Sequence, residues 1–235
     1  MRVREVQTRN SALIKLNHEL DSFAYSVSHD LKAPLASIQG LLNVARLEKG
    51  ANALLYYDRI ESSVEKLNNF IKDIIDYSKN TRMGVNKEKI KVKKLIEGMI
   101  DELTYLNGEK KIRTQIDIDG ELEIVADKTR IIFILNNLLT NSINYSDLTK
   151  ESSYIKISGV VINNEFNLVI EDNGQGIKEK YLPKLFDMFY RANEGSSGSG
   201  LGLYIVKESL EKLNGTVKLE STFGIGTKVS VSLPV

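Results

Sequence analysis

The chain has 235 residues, 42% of them hydrophobic and 27% charged, enough for a sizeable core in one large or two modest domains. Its 32 basic and 31 acidic residues leave a formal charge of +1, which excludes a global field for nucleic acid or an anionic membrane; any bound anion needs a local site. The absence of cysteine excludes a disulfide framework, a thiolate metal site and a thiol nucleophile, and two histidines are too few for a histidine-rich metal centre.

The start, MRVREVQTRN, is polar, and no apolar run approaches the ~20 residues that span a bilayer. A soluble, cytoplasmic chain is expected, any membrane anchor belonging to a longer parent protein. From Leu13 to Ala45, the positions Leu13, Asn17, Leu20, Ala24, Val27, Leu31, Pro34, Ile38, Leu41 and Ala45 alternate steps of four and three, a heptad seam on one long helix. With Val27 at d and Leu31 at a, His29 falls at f, farthest from the seam, and faces water. His18 falls at b, outside any motif, as an ordinary solvated histidine.

Residues 48–52 break the period, and Ile60, Val64, Leu67, Ile71 and Ile74 resume it on a second, antiparallel helix. A single helical hairpin leaves its apolar stripe uncovered, so two chains are expected to form a homodimeric four-helix bundle. The helical period ends at residues 80–84. In the following VNKEKIKVKK, Lys87, Lys89, Lys91 and Lys93 read as the solvated face of an edge strand; without interleaved aromatics a nucleic-acid patch is disfavoured. The remaining order predicts a helix (92–106), strands (111–126), a helix (128–145), strands (154–171), a glycine-rich loop, a helix (201–213) and a closing hairpin (215–233). This is an α+β sandwich, a mixed sheet with helices on one face.

In LNNLLTNSINYS (135–146), Asn137, Asn141, Asn144 and Tyr145 share a helical stripe, while Leu135 and Leu138 face the sheet. Aligned carboxamides are poor choices for a helix interior, so they bond locally or line a polar pocket. A strand then runs into Asp172-Asn173-Gly174-Gln175-Gly176, whose glycines permit close approach of backbone to a ligand. A second glycine cluster, GSSGSGLGL (195–203), leads into a helix whose first amides and dipole favour phosphate. The pair points to a nucleotide. A dinucleotide fingerprint would need a preceding strand and a P-loop a Lys-Ser/Thr pair; neither is present, so an ATP site here belongs to neither class.

In their order and separation, SHDLKAPL, NNLLTNSINYS, DNGQGI, LFDMFYR and GSGLGLYIV resemble the H, N, first glycine, F and second glycine boxes of the sensor histidine kinases of two-component systems. The resemblance covers about residues 20–235 and implies a signalling coiled-coil helix (1–22), a dimerisation and phosphoacceptor domain (23–83) and a GHKL-type ATP-binding domain (84–235). It implies ATP and Mg²⁺ as cofactors, with Asn141 as the side-chain ligand of Mg²⁺ and Asn137 near the phosphates. Tyr145 would pack on adenine, Asp172 would accept the adenine amino proton, and Gly174 and Gly176 would shape that end of the pocket. Arg191 and the backbone of Gly198, Gly200, Leu201 and Gly202 would contact phosphates, with residues 191–200 as a short lid. Many relatives carry lysine where this chain has Asn144, so one phosphate contact is lost, or replaced by Lys150 or a lid residue.

His29, exposed and with an imidazole that can act as a nucleophile, is then the phosphoryl acceptor. Asp30 would accept a hydrogen bond from its other ring nitrogen and stabilise the charge that develops. Pro34 removes a donor and crowds the carbonyl of Asp30, bending or loosening the helix beside the reactive residue. Ala33 stands where many relatives carry a threonine or asparagine that orients water, so weak phosphatase activity is expected. The implied partners are a second copy, a response-regulator receiver domain and an upstream sensor module absent from this sequence. Two rivals are a chaperone- or repair-type ATPase of the same nucleotide fold, for which SHDLKAPL would have no use, and a scaffold that only binds ATP.

Overall fold

The computed structural model describes residues 2–47, 53–106, 112–192 and 198–235, with side chains from Asp21 onward except Ser22 and a few beside the breaks. The side chains of the early seam residues Leu13, Asn17 and Leu20 and of His18, together with the turn at 48–52 and lid residues 193–197, lie outside what the structure describes. The chain divides into two compact units, Met1–Lys72 and Asp73–Val235.

The first unit holds α1 (Arg2–Leu47) and most of α2 (Ala53–Arg82). On α1, Phe23, Val27, Leu31, Pro34, Ile38, Leu41 and Ala45 are half-buried at heptad steps. The seam therefore stands from Val27 onward, but Ala24 is exposed and Phe23 takes its place. On α2 the covered stripe is Ile60, Ser63, Leu67, Phe70 and Ile74; Val64 and Ile71, also expected on the seam, remain exposed at 41% each. Leu35 and Leu42 of α1 are likewise exposed large apolar side chains of this unit.

The second unit begins inside α2, at Asp73, because the last turns of the helix pack into the core of that unit. Ile74 and Tyr77 join Met188 and Phe189 around Phe133, Leu201 and Ile205. Strand β1 (Lys87–Lys91) pairs antiparallel with β3 (Glu123–Asp127) as a separate two-stranded sheet. Lys87, Lys89 and Lys91 lie on its exposed face as expected, but Lys93 belongs to α3 (Val92–Leu106): the buried Val92 opens that helix directly after the strand.

The main sheet has the order β2-β4-β5-β7-β6, formed by β2 (Ile112–Ile118), β4 (Ser153–Ile162), β5 (Glu165–Asp172), β7 (Gly226–Pro234) and β6 (Thr216–Thr222). Only β2 and β4 pair in parallel, so the sheet is mixed. Asn163 and Asn164, both at positive φ (53° and 62°), make the tight turn between β4 and β5. Alternate residues Ile155 and Ile157, Phe166, Leu168 and Ile170, and Val229, Val231 and Leu233 face the core. There they meet Ile96 of α3, Ile131, Leu135, Leu138 and Leu139 of α4 (Lys128–Asn144), and Val206 and Leu210 of α5 (Gly202–Lys212). Helices thus cover one face of the sheet, which holds α4 and the β5 terminus side by side.

Candidate functional site

Helix α1 runs unbroken through Pro34, which has no N–H to donate to the carbonyl four residues earlier. One turn earlier, the His29 side chain is 66% exposed, and its Nδ1 lies 3.0 Å from Asp30 Oδ1. The Tyr25 ring stacks beside the imidazole at a centroid distance of 6.4 Å. A proton shared between Nδ1 and Asp30 fixes the tautomer in which Nε2 carries the lone pair. Ala33 is exposed on the same helix and offers no hydrogen-bonding group.

In the second unit, Asp127 caps α4, its carboxylate accepting from the backbone N–H of Arg130 at 3.1 Å. The capped helix buries Leu135, Leu138 and Leu139 and leaves Asn137 and Asn141 half-buried on the opposite stripe, with Asn144 and Tyr145 exposed at its end. Asn137 Nδ2 donates to Phe133 O at 2.8 Å, while its Oδ1 lies toward Gly202, where an added Cβ would come within 2.6 Å of it. The absence of a side chain at Gly202 therefore lets the start of α5 meet the asparagine stripe. Helical geometry leaves the first amides of α5 without intrahelical acceptors at this point. Leu201 is fully buried with Phe133 and Ile205, and its N–H donates to Ser199 Oγ at 3.1 Å. Ser199 Oγ in turn donates to Asp73 of α2 at 2.5 Å. Gly200, at φ 73°, passes against the backbone of Phe189, while Arg191 reaches Gly198 O at 3.4 Å.

The other end of the stripe meets the turn after β5. Gln175 N donates to Tyr145 O at 2.9 Å, and Gly174 sits so close that a Cβ would stand 2.3 Å from that same oxygen. Asp172 accepts from Gly174 N at 2.9 Å and from Ser142 Oγ, one turn before Tyr145, at 3.1 Å. Burial pushes the Asp172 carboxyl above the usual aspartate range, although the Gly174 N–H, the Ser142 hydroxyl, the Thr227 N–H and the Lys150 charge pull the other way. Gly176, at φ 64°, lies against Thr222 O of the β6–β7 hairpin.

Two groupings of the expected residues are in contact: Asp172 and Gly174 with Ser142 and Tyr145 at the end of α4, and Gly202 with Asn137 earlier on the same helix, while Arg191 meets Gly198. Lys150 does not lie free for a phosphate: its ammonium donates to backbone carbonyls beside Asp172. Ser142 and the Ser199–Asp73 pair are additions that the sequence alone does not reveal. Ser142 follows Asn141 directly, so spacing gives it no distinct signal.

Two family models match the chain. One is the His Kinase A (phospho-acceptor) domain, over residues 19–82, and the other the Histidine kinase-, DNA gyrase B-, and HSP90-like ATPase, over residues 126–235. The sensor histidine kinase AtsR of Burkholderia thailandensis is 30% identical over 92% of this chain, which spans 37% of that protein's length. Among solved structures, the histidine kinase ThkA in complex with the response regulator protein TrrA matches with a TM-score of 0.73 and 22% identity, covering 94% of this chain and 63% of that one. The Acinetobacter baumannii histidine kinase AdeS matches with a TM-score of 0.70 and 24% identity over 88% of this chain and 97% of its own.

Proposed function

This chain belongs to the sensor histidine kinases, and on that premise we propose that it uses ATP to phosphorylate His29 and then passes the phosphoryl group to an aspartate of a response-regulator receiver domain. The observation that carries the proposal is the exposed His29, held through Nδ1 by Asp30 within the matched phosphoacceptor segment, in a chain whose second unit assembles both glycine turns around the asparagine stripe.

Asp172 accepts the adenine amino proton, with Tyr145 against the ring and Gly174 and Gly176 shaping that end. Asn137, Arg191 and the backbone at Gly198, Gly200, Leu201 and Gly202 face the phosphates. Asn144 is exposed at the end of the asparagine stripe. The Asn141 carboxamide suits Mg²⁺ as a hard oxygen donor, and among the described residues no cluster of three His, Cys, Asp or Glu competes for such an ion. Mg²⁺, when bound with ATP, neutralises charge on the phosphates. His29 Nε2 then attacks the γ-phosphorus: an N–P bond forms, the bond to the β-phosphate bridging oxygen breaks, and ADP leaves with that electron pair. The Nδ1 proton stays on the ring, where the Asp30 carboxylate offsets the imidazolium charge.

Two copies joined through α1 and α2 would cover the exposed apolar side chains Leu35, Leu42, Val64 and Ile71 of the first unit, which supports a homodimer. No helix among the described residues is long and apolar enough to cross a membrane. The core is proposed to work in the cytoplasm, with α1 relaying input from a sensor module.

Phosphotransfer tests the proposal. A receiver domain added to the labelled chain is expected to take up the label; label that stays on the chain with every receiver offered contradicts the transfer step. Ala33 sets a further expectation. This chain should speed decay of receiver acylphosphate by less than about twofold, and Ala33→Thr should raise that rate by about tenfold or more, within the range for general-base-type orientation of water. Strong acceleration by the unaltered chain would contradict it.

A further inference from the structure

Lys150 takes no part in the chemistry above, yet its position is unusually determined. Its Nζ lies 2.6 Å from Asn173 O, 3.1 Å from Gly174 O, 3.0 Å from Gly224 O and 3.1 Å from Ile225 O. An ammonium has three protons for these four acceptors, so it behaves here as a point charge inside an oxygen cage. Two of the carbonyls belong to the turn after β5 and two to the turn between β6 and β7.

The loop that delivers Lys150 is itself ordered. Asp147 Oδ1 accepts from Thr149 N at 3.1 Å and from its hydroxyl at 2.6 Å, and Ser153 Oγ donates to Asp147 O at 2.5 Å. The two caged turns touch closely besides. Gly224 N donates to Gln175 O at 2.7 Å, and an added Cβ at Gly226 would lie 2.0 Å from Asp172 O. Four carbonyl dipoles aimed at one point repel one another unless a positive charge sits between them. Asp172 and Gly174, which define the adenine end, lie on or beside one of these turns. The Lys150 charge also acts on Asp172, opposing the effect of burial.

We propose that Lys150 is an internal cation that ties the turn after β5 to the β6–β7 turn and thereby sets nucleotide affinity, filling a four-carbonyl site that potassium or ammonium occupies once the side chain is shortened. The inference rests on the ATP-binding reading of the same site. Lys150 is a positioning residue: it holds the shape of the pocket and touches no reacting atom. Backbone carbonyls in such number are the ligands that replace the hydration shell of potassium.

The test compares the full chain with Lys150→Ala and Lys150→Met in choline, potassium and ammonium chloride at equal ionic strength. The readouts are ADP binding by calorimetry and, without nucleotide, hydrogen exchange at the Gln175 and Gly224 amides. In choline, Lys150→Ala is expected to bind ADP about tenfold more weakly, the scale of a loosened supporting contact. Both amides should exchange faster. Potassium or ammonium should restore binding and protection in Lys150→Ala but not in Lys150→Met, whose stem still occupies the cage. The unaltered chain should not respond to the choice of cation, and in kinetics the variant in choline should show a raised KM for ATP with kcat unchanged. Variants that match the unaltered chain in both readouts, or that are impaired equally in all three salts, overturn the proposal. If the unaltered chain fails to bind ADP, the ATP-binding reading falls, and the exchange readout still decides the role of Lys150.

Discussion

Replacing Arg130 with methionine is expected to destabilise the second unit by about 3–5 kcal/mol, the cost of breaking a buried ion pair by removing one partner. Arg130 is 2% exposed and Asp127 3%, and the guanidinium donates to the Asp127 carboxylate. The same guanidinium donates to Asn80 O at 3.1 Å, Met83 O at 2.6 Å and Gly84 O at 3.3 Å, where α2 ends. A cation at these C-terminal carbonyls satisfies acceptors that the helix cannot, and it fastens the end of α2 to the start of α4. Methionine restores the volume but leaves the carboxylate with its two backbone donors, Asn86 N and Arg130 N, and without a counter-charge.

Burial alone would raise Asp127, but those N–H donors and the Arg130 guanidinium outweigh it and hold its pKa below the ordinary value of 3.8. A depressed carboxylate stabilises the fold fully above its unfolded pKa, and the contribution is lost as pH falls through the lower, folded value. Acid unfolding of the unaltered chain should therefore steepen below about pH 4, and Arg130→Met should flatten that dependence. Urea unfolding at neutral pH measures the main effect; a loss under about 0.5 kcal/mol, within the range of ordinary surface substitutions, would refute the assignment.

Asp172→Ala is expected to weaken ADP binding by about 10- to 100-fold, corresponding to the roughly 1.5–3 kcal/mol of a hydrogen bond to a charged group. Autophosphorylation at limiting ATP should fall with it. The residue stands where three constraints converge: Gly174 N and Ser142 Oγ orient its oxygens, and the Gly226 backbone packs on its carbonyl. Because burial raises its pKa, protonation begins at a higher pH than for an exposed aspartate. Nucleotide affinity should therefore weaken on acidification above the usual carboxylate range, and Asp172→Ala should remove that dependence. Binding of ADP by Asp172→Ala within twofold of the unaltered chain would remove Asp172 from the adenine end.

Much of this architecture is legible in the sequence because periodic signals are local. Heptad stepping places His29 on the exposed side of α1, and steps of three and four align Asn137 with Asn141 on α4. Glycine spacing marks the two turns, and residue type suits Asn163 and Asn164 to the turn between β4 and β5. The failures concern long-range partners. Nothing near Arg130 in the chain signals acceptors 46 to 50 residues away, nor does Ser199 signal Asp73, 126 residues distant. Lys150 illustrates the same limit: the resemblance offers it, beside a lid residue, as a replacement phosphate contact, whereas two turns, one of them more than 70 residues downstream, capture its ammonium. At 24 and 93, single-residue placement fails because a heptad tolerates a neighbouring aromatic in the seam, and because a strand can turn into a helix without a linker.

The most direct measurement is incubation of the purified chain with Mg²⁺ and γ-labelled ATP, beside His29→Gln and His18→Gln, followed by exposure of the label to acid and to alkali. A phosphoramidate on His29 predicts label that is lost in acid, survives alkali, persists in His18→Gln and is absent in His29→Gln. Label that survives acid, or that remains in His29→Gln, would contradict the assignment of His29 as the phosphoryl acceptor.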